Sequence, residues 1–131
     1  MRPTRAVLDR LRDHARLTGQ RHTTLAERYL EEGLLMEEHP GIHFVDGPMG
    51  RRPAVIGARL DVWEIVQVLR DNDGDVAAAA AYLEIDPRFV EIALRFYAEQ
   101  RDAIDAWIAR LDALNEREEA RWRAAREAFA R

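Results

Sequence analysis

Cysteine, serine and lysine are all missing from this chain of 131 residues. Without cysteine there are no thiolate nucleophiles, thiolate metal sites or disulfides. Without serine and lysine there is no serine triad, Schiff-base lysine or P-loop lysine. Outside tyrosine, the hydroxyls are Thr4, Thr18, Thr23 and Thr24 alone. No paired acid–base or nucleophile constellation offsets this poverty, so the chain is not expected to be an enzyme, and no cofactor, metal or small-molecule substrate is expected. Long apolar runs are missing too. The longest, Val76 to Leu83, is mostly alanine and far shorter than a membrane span. Arg2, Arg5, Asp9 and Arg10 interrupt any leader-like apolar stretch, so a cytoplasmic protein is expected, with no membrane partner.

What is present is charge. The 34% charged residues carry a net charge of −4, and every one of the 20 cations is arginine. Six arginines lie within residues 1–23 and four more within 49–70, whereas 24–48 and 71–100 are strongly acidic. A basic start and a basic middle on an acidic body fit focused anion binding, with Arg2, Arg5, Arg51 and Arg52 as candidate DNA contacts. Arg59 is expected to tie its own segment to an acid within the fold.

Three regions follow from breakers and apolar spacing. In residues 1–41, Thr4 caps a helix running to about Thr18, and Gly19 stops it. Thr24 and Glu27 form a capping-box signature that predicts a second helix from there to about Met36. Leu8, Leu11, Leu25, Tyr29, Leu30 and Leu34 line faces that two short helices cannot bury alone, which makes them candidate dimerisation residues. In residues 42–100, apolar residues between Gly and Pro predict a small β-hairpin. A tri-helical unit of the helix-turn-helix type follows, with Asp61, Asp75 and Asp86-Pro87 as starting caps.

Residues 101–131 contain no helix breaker. Ile104, Trp107, Ile108, Leu111 and Leu114 form an a/d-like stripe, and Trp122 and Phe129 follow at seven-residue spacing. Such a stripe on a polar helix needs cover from its own core, a second copy or a partner protein. His39 and His43 flank a helix-breaking Pro-Gly and do not share a helical face, so they are read as capping or surface residues. Asp71, Asp73 and Asp75 lack the glycine and acid placement of a calcium loop and are read as a capped turn.

The stretch from Gly50 to Ile65, GRRPAVIGARLDVWEI, resembles the opening of an antitoxin-like bacterial family, domain-of-unknown-function family 433. Tyr82, Leu83, Val90, Ala93, Leu94 and Tyr97 occupy positions comparable to that family's later motif. Ala58 stands where the family usually has threonine. Residues 4–38 resemble the paired helices of ribbon-helix-helix (CopG/Arc-like) antitoxins. Only Met1-Arg2-Pro3 precede them, too few for the DNA-reading ribbon strand. The resemblance implies a homodimeric antitoxin that blocks a PIN-like nuclease and regulates its own operator. A blocker of a carboxylate-held Mg²⁺ site needs an arginine to occupy those carboxylates and apolar anchors beside it. On that reading Ile104, Trp107, Ile108, Leu111 and Trp122 are anchors, with Arg110, Arg117, Arg121 and Arg123 as plugs. Cutting the chain after about Arg101 is then expected to leave a folded dimer without inhibition. The alternatives are a DNA-binding regulator without a toxin partner and a structural or adaptor protein. The expected fold is mainly α: a helical hairpin, a small β-hairpin, a helix-turn-helix-like unit and a long terminal helix.

Overall fold

The computed structural model describes residues 2–131; Met1 lies outside them. The architecture is mainly helical with a small antiparallel sheet, as the sequence predicts.

Helix α1 spans Arg5–Thr18. The Thr4 hydroxyl accepts a hydrogen bond from the Val7 N–H at 3.3 Å, satisfying one of the free donors of the first turn. Gly19 ends the helix in the left-handed conformation, φ 69°, where its N–H bonds back to the last turn.

Helix α2 spans His22–Glu38, two residues before the predicted capping box begins and two past the predicted end. Thr24 therefore sits inside the first turn instead of capping it. The reason is tertiary. Leu25 is fully buried and accessible to no solvent, and its N–H already bonds to the Arg21 carbonyl at 3.0 Å. Placing Leu25 against α1 requires helical geometry one turn earlier, and that burial outweighs the local cap.

After His39-Pro40-Gly41 come β1 (Ile42–Gly47), β2 (Gly50–Val55) and a two-residue strand β3 (Leu60–Asp61), in the order β1-β2-β3. Ile42 pairs with Val55 and Gly47 with Gly50, so the predicted hairpin closes over Pro48-Met49. β3 adds to its far edge, with Val55 opposite Leu60.

Helices α3 (Val62–Asp71), α4 (Val76–Leu83) and α5 (Pro87–Glu99) follow, each begun by the aspartate the sequence marks. Asp61 and Glu64 form a complete capping box, and the Asp75 and Asp86 carboxylates accept from Ala78 and Arg88 N–H groups. Asp75 and Asn72 thus build a capped turn, as expected for that acidic segment. Helix α6 runs unbroken from Arg101 to Ala130.

One core joins the sheet to α3, α4, α5 and the start of α6: Ile42, Val55, Val62, Ile65, Val66, Leu69, Ala79, Ala80, Val90, Ala93, Phe96, Ile104 and Ile108. The α1–α2 hairpin stands beside this core and reaches it through Leu35 and the buried polar residues Glu32 and His39. Among the described residues no helix is long and apolar enough to cross a membrane.

Candidate partner-binding surfaces

The apolar stripe of α6 divides sharply. Ile104 (3% exposed), Ile108 (7%) and Trp107 (9%) are covered by their own chain. Arg110 lies over the Trp107 ring, 4.9 Å from its centroid, and Leu111 is half-buried. These residues were expected to anchor a partner, and three of them belong to the core instead. An interface that used them would have to dismantle the fold. A cut after Arg101 would remove three buried core residues, Ile104, Trp107 and Ile108, so the expected folded truncation is corrected to one ending after Leu114.

From Asp112 onward every residue of α6 is exposed. This segment carries Arg117, Arg121, Trp122 (65% exposed), Arg123 and Phe129 (94%). Arg121 meets Glu118 at 3.2 Å in an exposed pair of little energetic weight. The segment from 115 to 130 extends ~24 Å at 1.5 Å per residue, too far for the core to cover.

What holds α6 at its root was not visible in the sequence. Arg70 of α3 donates to Asp105 at 2.6 Å and to the Tyr97 hydroxyl at 2.5 Å, and Tyr97 donates to the same Asp105 oxygen at 2.9 Å. The Arg70 hydrogen bond, then that from Tyr97, holds the Asp105 carboxyl below its usual range. Bonding to Asp105 correspondingly raises the Arg70 guanidinium. The knot ties α3, α5 and α6 together, 35 residues apart in sequence at its widest.

Two of the four arginines assigned to DNA are spent within the fold. Arg51 grips Glu32 of α2 bidentately, Nε to Oε2 at 3.1 Å and Nη2 to Oε1 at 2.5 Å, and lies 3.3 Å from Asp46. Its pKa is raised, first by the Glu32 hydrogen bond. Arg52 meets Asp61 at 2.5 Å, and the same carboxylate oxygen accepts from the Trp63 ring N–H at 2.9 Å. Phosphate would compete with Glu32 and Asp46 for Arg51, and with Asp61 for the Nε of Arg52. Arg2 and Arg5 remain exposed. Arg59 also departs from expectation: it is exposed in a left-handed turn, φ 57°, and among the described residues it makes no ion pair. Arg88 lies over Phe89 and near Asp86, on the first turn of α5.

The dimerisation set is likewise split. Leu25 is internal, and Leu8 and Leu11 are half-buried. Tyr29, Leu30 and Leu34 stay exposed. Pro3, Val7, Leu11, Ala26, Tyr29 and Leu30 line an apolar groove of about 580 Å³. His39 caps the end of α2, packs edge-on to Phe96, and its Nε2 lies 2.8 Å from Glu99 Oε2. Glu38, His39 and Glu99 bring potential ligand atoms within 4.8 Å of one another, a grouping the local sequence hides because Glu99 lies 60 residues away. His43 sits half-buried on β1, apart from this group.

No family model, curated protein or solved structure matches this chain.

Proposed function

We propose that this protein is a bacterial antitoxin that acts in the cytoplasm by binding, not by catalysis, and that its target is a PIN-like ribonuclease. One observation carries the reading: α6 outruns its own core, and its uncovered part combines exposed Trp122 and Phe129 with Arg117, Arg121 and Arg123. An aromatic anchor beside several guanidiniums suits a groove next to a carboxylate-held Mg²⁺. Trp122 supplies apolar area at low conformational cost, and arginine matches carboxylate geometry bidentately. Autoregulation through operator DNA would rest first on the exposed Arg2 and Arg5, since Arg51 is paired with Glu32 and Arg52 with Asp61 through its Nε.

The test is inhibition of RNA cleavage by the nuclease encoded at the neighbouring locus. A chain ending at Leu114 keeps every buried residue of α6. It is expected to fold, with helical content lower only by the helical residues removed, and to lose inhibition. Full inhibition by the shortened chain would remove the terminal segment from the mechanism.

A further inference from the structure

One face of α6 follows alternating steps of three and four residues, Ile108, Leu111, Asn115, Glu118, Trp122, Ala125 and Phe129, and is apolar except at Asn115 and Glu118. A heptad drifts only ~20° around a straight helix, so these residues form one seam. The core covers its beginning at Ile108, and its end, at Trp122 and Phe129, is bare.

We propose that the bare half of this seam pairs antiparallel with the same segment of a second copy of the chain. Side-chain size is the first argument. Setting Trp122 against Ala125 of the second copy brings Phe129 against Glu118 of that copy, and the two-fold axis repeats both layers. Each large ring then faces a small side chain or the aliphatic stem of a glutamate, whose carboxylate can still reach water.

Charge is the second argument, and it selects the orientation. Glu119 and Arg126 occupy the same flank of the seam, both exposed, and among the described residues neither holds an ion pair within its own chain. Antiparallel pairing puts Glu119 beside Arg126 of the second copy, twice by symmetry. Parallel pairing would instead set Arg121 beside Arg126 of the other helix, also twice, and repel. Four aromatic rings at ~150–250 Å² each bring ~600–1,000 Å² to the interface, at the low end for specific association, so the dimer is concentration-dependent.

This inference stands independently of the nuclease reading. If both hold, the second copy and the nuclease compete for Trp122, and inhibitor is stored as a dimer that must part before it docks.

Light scattering of the purified full-length chain over a wide concentration range, without any nuclease, tests the pairing. A mass rising from one chain to two is expected. The Trp122→Ala/Phe129→Ala double variant should stay monomeric and melt as the dilute, monomeric wild-type chain does, because neither ring is in the core. Glu119→Arg should weaken the dimer roughly tenfold by replacing two opposite-charge contacts with two like-charge ones. Adding Arg126→Glu should restore it. A wild-type chain monomeric throughout would overturn the proposal. So would an undiminished dimer in the double aromatic variant, which would move self-association to the α1–α2 groove, or a charge reversal that the second reversal does not rescue.

Discussion

Replacing Arg51 with methionine keeps most of the aliphatic stem and removes both hydrogen bonds to Glu32. Glu32 is 7% exposed, and its remaining cation is Arg28, whose Nε stands 3.6 Å away, beyond a good hydrogen bond. Removing one partner from a fully buried pair costs ~3–5 kcal/mol, because the survivor is left charged and poorly solvated. The Arg51 side chain is 27% exposed and Arg28 remains near, so roughly half of that, about 2 kcal/mol, applies here. For a chain of this length the melting temperature should fall by ~6–8 °C. Adding Glu32→Gln to the variant removes the stranded charge and should recover part of the loss, which a double-mutant cycle by denaturant titration would measure. If Arg51 were instead a phosphate ligand, Arg51→Met would leave melting within ~2 °C of wild type and weaken DNA binding. That result would refute the assignment of Arg51 to the fold.

Three further perturbations separate competing roles. Trp107→Ala should cost ~3–5 kcal/mol by opening a core cavity, whereas Trp122→Ala should leave the monomer's stability within ~0.5 kcal/mol, as denaturant midpoints will show. Thr4→Ala should cost about 1 kcal/mol through its lost cap, while Thr24→Ala, inside the first turn of α2, should be nearly neutral; equal losses would mean that the predicted capping box forms after all. Asp105 has a folded pKa below the usual 3.8, so its stabilising effect is complete above that value and disappears as the pH falls from there through the lowered folded pKa. Melting followed from neutral to acid pH should therefore show a shallower acid slope in that window for Asp105→Asn, and an unchanged slope would contradict the Arg70–Tyr97–Asp105 knot.

Features decided within a few residues were legible in the sequence. Thr4, Gly19, Asp61, Asp75 and Asp86-Pro87 mark helix ends through hydrogen bonds to immediate neighbours, and α6 is continuous because nothing in it breaks a helix. The start of α2 was not legible, because burial of Leu25 against α1 competes with the local signal at Thr24. Nor was the spending of the arginines. Arg51 finds Glu32 across 19 residues, and Arg70 finds Asp105 across 35, distances at which spacing carries no information about pairing. The candidate site was half legible. Ile108 and Trp122 occupy the same heptad position, so periodicity places both on one face. Only the end of the core, near Leu111, decides that one is packing and the other is free.

The most direct measurement is the RNA-cleavage rate of the neighbouring-locus nuclease in Mg²⁺, titrated with the full-length protein and with a form carrying Arg117→Ala, Arg121→Ala and Arg123→Ala. The intact protein is expected to abolish cleavage at a fixed stoichiometry, and the triple variant to fold normally but leave most cleavage intact. Cleavage untouched by the intact protein, or suppressed equally by both forms, would contradict the proposed mode of inhibition.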